Sequence, residues 1–392
     1  MRQVALSVLL LLSCRIPLPA ADVGPFGFPT ALIAGNAASP VTLKKVSNER
    51  DIVISAHANW TLKGKLAIPD NYSPITPVVV LIHGSGPNDM DESLPGSITA
   101  TGKPAAIFKD ISDSLVKSGF AVFRYNKRGV LGWNAQEQKP IVDENVYAAN
   151  TVDDLVRDAV TATLYLRSEP RFSKRPVILL GHSEGTMLAP LAARSLDVNG
   201  LVLLSAMARR LDVILYYQNV TRQLEWCSSV LDKNSDGFIL PEEAALEPRL
   251  SLDFTLMDTD KDGRISTAEL TTVLERFHQK TIEKLNSDPW FQSHLKAEPN
   301  YQVLPEFSGP ILIVQGEEDR QTPMQEVKLL DAALREGGHS DYTIKTFPGL
   351  GHGFSPPIDG WIPTIGPVEP QVLNWLSQWL SGKFLQTGEV GP

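Results

Sequence analysis

Val177-Ile178-Leu179-Leu180-Gly181-His182-Ser183-Glu184-Gly185-Thr186 is the stretch that decides how this chain is read. Four apolar residues in unbroken succession are expected of a strand buried on both faces. The next five fit G-x-S-x-G, and a helical pattern runs on from Thr186 to Leu196. A serine on a sharp turn between strand and helix is lifted clear of the sheet edge, and the flanking glycines let neighbouring backbone pass close. The helix N-terminus then favours negative charge developing beside it. The expected chemistry is nucleophilic attack by Ser183, with the backbone N–H of Glu184 as one donor to an oxyanion.

Working outward, similar apolar runs recur at Val78–Ile82, Phe120–Arg124, Leu201–Leu204 and Ile311–Val314. Helical faces lie between most of them: Ile107, Ile111 and Leu115 share one, and Leu155, Val156, Ala159, Ala162 and Leu166 share another. Strands alternating with helices predict an α/β fold, a mostly parallel twisted sheet with helices on both faces. Ahead of it, Asp51 to Pro69 alternates in the manner of an antiparallel strand pair. The rhythm breaks once. About 100 residues without a sheet-type run separate Ser205 from Ile311, too many for a structureless loop. They carry helical pattern, so residues 207–307 read as an inserted helical cap between two core segments, 41–206 and 308–385.

Partners for Ser183 are sought at the ends of the other strands. His83-Gly84-Ser85-Gly86-Pro87 follows the run Val78–Ile82. A loop in that place supplies the second oxyanion donor of a hydrolase. Gly84 allows the tight turn, the N–H of Ser85 is the expected donor, and His83 reads as a loop anchor. Gly316-Glu317-Glu318-Asp319 closes the run Ile311–Val314. Asp319 lies farthest into the loop and suits a turn, whereas Glu317 and Glu318 are expected to be solvated. Among the histidines outside the nucleophile turn, His57, His83, His278, His294 and His339 compete with His352. Only His352 combines a Gly-rich loop, a place after the alternating strand Tyr342–Phe347, and the last position in the chain. The expected order is Ser183, Asp319, His352.

With the turn at 83–87, the stretch Arg124-Tyr125-Asn126-Lys127-Arg128-Gly129 and the pentapeptide 181–185, the chain resembles the α/β-hydrolase superfamily over about residues 50–206 and 307–383. Within it, the chain is similar to bacterial carboxylesterases of the EstD type. The resemblance implies nucleophile, acid and base at Ser183, Asp319 and His352, oxyanion donors at Ser85 and Glu184, and cleavage of small-molecule carboxylic esters through an acyl-enzyme. Thr186 departs from the further glycine that family often has. The same triad serves amides, so a serine peptidase or another acyl hydrolase is the alternative among enzymes. Outside enzymes, the alternative is a calcium-dependent binding protein on an inactive hydrolase scaffold.

That alternative comes from the cap. Residues 232–243 fit a twelve-residue EF-hand loop, with Asp232, Asn234 and Asp236 at the first, third and fifth positions, Gly237 at the sixth and Glu243 at the twelfth. Residues 258–269 fit equally, with Asp258, Asp260, Asp262, Gly263 and Glu269. The resemblance to EF-hands implies two structural Ca²⁺ ions, held also by the main-chain carbonyls of Phe238 and Arg264. Ile239 and Ile265, at the eighth positions, are expected to pair as a short β-bridge. Leu240 offers no side-chain oxygen at the ninth position, so water is expected there. Starts at Asp232 and Asp258 leave little room for two full helices between the loops.

Composition closes off other classes. Lys+Arg 36 against Asp+Glu 45 gives a net charge of −9, which excludes a nucleic-acid binder acting through counterion release. No apolar run reaches the roughly 18 residues of a spanning helix, so no integral membrane segment is expected. Arg2 followed by the apolar run Val4–Leu12, with small residues near Ala20, reads as a signal peptide over 1–20 and predicts a secreted or periplasmic protein. Leu11-Leu12-Ser13-Cys14 also resembles a lipobox, which would anchor the chain through a lipid on Cys14. A Gly-, Pro- and Ala-rich linker follows over 21–40. Cys227 is then the one thiol left, read as a small buried hydrophobe on a helix. No organic cofactor is implied.

Overall fold

The computed structural model describes residues 48–70, 72, 76–246, 252–358 and 364–385. The signal peptide read over 1–20, Cys14 and the linker over 21–40 lie outside the described residues. Eight strands make one sheet: β1 (Glu49–Ser55), β2 (Thr61–Ala67), β3 (Val78–Ile82), β4 (Ala121–Tyr125), β5 (Val177–His182), β6 (Gly200–Leu204), β7 (Ile311–Gly316) and β8 (Tyr342–Phe347). Their spatial order is β1-β2-β4-β3-β5-β6-β7-β8. β1 and β2 pair antiparallel, with Glu49 opposite Ala67, and β2 is antiparallel to β4. Every pair from β4 onward is parallel. Each apolar run named from the sequence falls on one of β3 to β7.

The helices are α1 (Ile107–Lys117), α2 (Val152–Ser168), α3 (Gly185–Ala193), α4 (Leu211–Tyr216), α5 (Arg222–Val230), α6 (Thr267–Leu285), α7 (Pro289–Lys296), α8 (Met324–Glu336) and α9 (Pro370–Phe384), besides shorter turns. Side chains alternate across each strand, and this divides the core. Val78, Val80, Leu179, Leu203 and Ile313 meet α2, α3 and α8 on one face. Val79, Leu81, Leu180, Val202 and Val314 meet α1 and α9 on the other. Each fully buried Leu or Val contributes about 1.5–3 kcal/mol, and Leu179→Ala would cost about 2–5 kcal/mol. α2 starts where Thr151 and Asp154 form a capping box, with Asp153 and Asp154 in its first turn, which stabilises it by about 1 kcal/mol.

Between β6 and β7 the chain leaves the sheet through α4, α5, α6 and α7. Phe238–Ile239 and Ile265–Ser266 pair antiparallel, with Ile239 opposite Ile265 as the loop pattern predicts. The two intervening helices, Pro241–Ala244 and Phe254–Met257, are one turn each. Trp226, Leu231, Met257, Ile265 and Val273 form a separate small core beneath the loops. Cys227 is buried on α5 within it, and burial pushes its thiol up to about 12, so it packs as an inert group. No helix among the described residues is long and apolar enough to cross a membrane.

Candidate active site

β5 ends at His182 and α3 begins at Gly185, leaving Ser183 at the apex of the turn with φ +53°. That left-handed conformation costs an L residue on the order of 1–3 kcal/mol. Both glycines are required by close approach. A Cβ on Gly181 would overlap the carbonyl of Gly185, and one on Gly185 would overlap the carbonyl of Ile82. Thr186 has a use that glycine lacks: its hydroxyl donates to Ser183 O (2.6 Å) and accepts from Met207 N (3.0 Å). It thereby ties the turn to the chain leaving β6.

Asp319 and His352 come together beside this turn. His352 Nδ1 donates to Asp319 Oδ2 at 2.9 Å, and both residues are buried. Gln315 Nε2 (2.9 Å) and Thr322 Oγ1 (2.8 Å) donate to the same oxygen, while the N–H groups of Gln321 and Thr322 donate to Oδ1. Burial pushes this carboxyl upward, but His352 and the donors outweigh it and hold the group below the usual carboxylate range. Glu318 pairs instead with Arg320, and Glu317 accepts from Thr346. Ser183 and His352 line one pocket. No hydrogen bond joins the Ser183 hydroxyl to the His352 ring among the described residues. Such bonds are often long in a free enzyme and tighten on substrate.

The donor loop lies opposite. Gly84 N–H is spent on Glu92 Oε1 (2.7 Å). The N–H groups of Ser85 and Glu184 carry no hydrogen bond among the described residues, which leaves both open to an acceptor in the pocket. Lys127 Nζ donates both to Gly84 O (2.8 Å) and to Glu184 Oε2 (2.6 Å), so one cation fixes both donor segments. Glu184 Oε1 accepts from Trp290 Nε1 and from His294 Nε2 (2.7 Å), which seats α7 on the turn. Burial opposes the charge on Glu184, yet Lys127 and His294 hold it well below the ordinary glutamate range. His83 packs against Phe108 and Tyr125, and burial lowers it to about 4, so it is a neutral anchor and not a base.

α4 turns Leu211, Ile214 and Leu215 toward the pocket, and α7 adds Trp290. The ionisable side chains on its described wall are Glu92, His182 and His352, of which Glu92 and His182 pair with each other at 3.0 Å.

At the paired loops, ligand oxygens of Asp258, Asp260 and Asp262 lie within 4.8 Å of one another. Asp232 accepts from the N–H groups of Asp236 and Gly237, and Asp258 from those of Asp262 and Gly263. Asn234 accepts from Asp236 N. Glu243 and Glu269 are turned onto main-chain N–H groups, of Lys233 and Leu240 and of Thr259 and Ser266 respectively. Arg264 spreads over the Phe238 ring at 3.7 Å and bonds Asp262 Oδ2. The geometry gathers three carboxylates in the second loop and leaves each twelfth-position glutamate on backbone.

Sequence reasoning missed Gln315, Thr322, Glu92, Lys127, Trp290 and His294. Lys127 was within reach, since a lysine two residues past a buried strand and two before a glycine turn is poorly placed for solvent.

The profile of the family described as serine aminopeptidase, S33, matches residues 101–355. This chain belongs to that family. The S33 chain is 30% identical over 291 residues to Esterase EstD of Thermotoga maritima, a match taking in 71% of this chain and 63% of that protein's length. Among solved structures, a puromycin hydrolase covers 88% of the S33 chain and 40% of its own, at 15% identity and a TM-score of 0.50. The Pyrococcus furiosus esterase covers 86% and 92%, at 14% identity and a TM-score of 0.47. At that identity the likeness to the puromycin hydrolase is one of fold.

Proposed function

We propose that this protein is an exported serine hydrolase that cleaves carboxylic esters with apolar acyl groups. Ser183 attacks the ester carbonyl while His352 takes its proton, and Asp319 holds the imidazole and stabilises its charged form. The oxyanion accepts from the N–H groups of Ser85 and Glu184. The alcohol leaves with the proton from His352, and water then releases the acid from Ser183 by the same route in reverse.

One observation carries the choice of ester over aminopeptidase substrate. The pocket at Ser183 is walled on one side by Leu211, Ile214, Leu215 and Trp290 and elsewhere by neutral polar groups such as Asn88, Gln218 and Gln321. The one carboxylate among its described lining residues, Glu92, is already paired with His182. A substrate α-ammonium would enter without a free anion to meet it, at the cost of burying an unpaired charge. EstD, named an esterase, points the same way. The test compares a leucyl ester with its des-amino analogue, the 4-methylpentanoyl ester of the same alcohol. The des-amino ester should have the higher kcat/KM, by about tenfold or more. Preference for the leucyl ester would move the assignment to aminopeptidase.

The paired loops would hold two Ca²⁺ ions through Asp232, Asn234, Asp236, the Phe238 carbonyl and Glu243, and through Asp258, Asp260, Asp262, the Arg264 carbonyl and Glu269. The donor set fits a hard cation: the carboxylates of Asp258, Asp260 and Asp262 already converge. Each ion would cross-link its loop and take no part in the ester chemistry. Binding requires Glu243 and Glu269 to exchange backbone N–H partners for metal, which titration calorimetry with calcium chloride would register. Export rests on the apolar run Val4–Leu12, with cleavage near Ala20 or lipidation of Cys14 as the two routes.

A further inference from the structure

We propose that Glu92 and His182 are positioning residues, a second carboxylate–histidine pair that braces the oxyanion loop against the backbone of the His352 loop. The proposal rests on the acyl-transfer reading above. Glu92 uses both oxygens. Oε1 accepts from Gly84 N–H at 2.7 Å, and Oε2 faces His182 Nδ1 at 3.0 Å. The other ring nitrogen of His182 lies 3.3 Å from the main-chain oxygen of His352, which Ser205 Oγ also holds at 2.6 Å. One carboxylate and one ring therefore connect the loop after β3, the end of β5 and the loop after β8. Glu92 and His182 are 3% and 4% exposed, so water does not compete for these bonds.

Three consequences follow from the chemistry of the groups. First, Gly84 N–H is consumed, which makes the next N–H, that of Ser85, the free donor and fixes its direction. Second, Glu92 sits at φ +48°, a conformation a glutamate rarely adopts. Such strain persists where the surroundings over-determine it, as they do at functional sites. Third, His182 faces two acceptors, and only the imidazolium has two N–H groups to give them. Its surroundings favour that form. Burial opposes the charge, but Glu92 and Asp319 raise the pKa, and the opposing neighbour is the His352 ring at 5.2 Å when that ring is protonated. The same pairing holds Glu92 below its ordinary range despite burial.

Glu92→Ala and Glu92→Gln separate bracing from mere stability. Alanine removes both bonds. Glutamine keeps an acceptor for Gly84 N–H and offers a donor to a neutral His182, whose remaining N–H can still reach His352 O. Turnover of a p-nitrophenyl ester is measured across pH, and folded sites are counted from the acylation burst. Per folded site, Glu92→Ala should lose about 10²-fold in kcat with KM little changed, the size of losing one oxyanion donor. Glu92→Gln should keep kcat within about tenfold of wild type. It should also lose the alkaline fall in kcat that deprotonation of His182 gives the wild type. The brace is overturned if Glu92→Ala turns over at the wild-type rate per folded site, or if Glu92→Gln keeps the wild-type alkaline limb. A wild type with neither burst nor hydrolysis refutes the acyl-transfer reading instead.

Discussion

Replacing Lys127 by Met tests the buried charge that ties the two donor segments together. The Nζ and the Glu184 carboxylate are both almost fully buried and lie 2.6 Å apart. Without the lysine, Glu184 keeps Trp290 and His294 as donors but loses the cation that offsets its burial. Breaking a buried ion pair by removing one partner costs about 3–5 kcal/mol, because the other charge stays behind. At about 2 °C per kcal/mol for a chain of this size, Lys127→Met should melt roughly 6–10 °C lower. Adding Glu184→Gln removes the stranded charge and should recover at least about 2 kcal/mol, since a neutral replacement of a buried pair is often harmless. Glu184 has a folded pKa below its ordinary value of 4.5, so its contribution is complete above that pH and is lost as pH falls through the folded value. Melts followed by circular dichroism at pH 7 therefore see all of it. A single variant within about 1 kcal/mol of wild type, or a double variant with simply additive loss, would show that Lys127 does not offset a buried charge on Glu184.

Burial raises the Asp89 carboxyl to about 6, from an ordinary 3.8. A raised acid favours folding while protonated, so its contribution falls as pH rises from about 4 to about 6. Asp89→Asn keeps one acceptor, for Ser93 N–H, and turns its NH₂ to the Ser93 hydroxyl; it should reduce the slope of melting temperature against pH over that window, and an unchanged slope would contradict it. Ile214→Phe fills the pocket wall beside Leu211 and Leu215 and should shift the preferred acyl chain shorter by about two carbons, at about 0.8 kcal/mol per CH₂, as read from kcat/KM over a p-nitrophenyl ester series. With about 1 mM free calcium and a Kd near 10⁻⁴ M, each loop would stabilise the fold by about 1.4 kcal/mol. EGTA, or Glu243→Gln with Glu269→Gln, should therefore lower the melting temperature by a few degrees, and no shift would remove calcium from the proposal.

The sheet was legible because β3, β5, β6 and β7 are buried on both faces, and burial on both faces forces unbroken apolar runs. β8 was legible by alternation instead: it is an edge strand with most residues half-buried. The hairpin of Val130–Asn134 with Lys139–Val142 was not legible, since its polar and glycine residues carry no period. At the site, Ser183, Asp319 and His352 could be named because each sits at a strand end in a turn with its own local chemistry. Glu92, Lys127, His182 and His294 could not be assigned partners, because their roles come from pairings across 57 to 110 residues of chain. A buried charge and a solvated one look alike until the fold brings the partner. The same holds for Glu243 and Glu269, which suit either a metal or the helix starts they now cap.

Labelling with a fluorophosphonate, followed by peptide mass spectrometry, identifies the nucleophile. The wild type should gain one phosphonyl group, on the peptide carrying Ser183, and lose ester hydrolysis in step with labelling. Ser183→Ala should remain folded, take no label and hydrolyse p-nitrophenyl esters slower by several orders of magnitude, roughly 10⁶-fold. A label on another residue, or undiminished hydrolysis by Ser183→Ala, would contradict the assignment of Ser183 as the nucleophile.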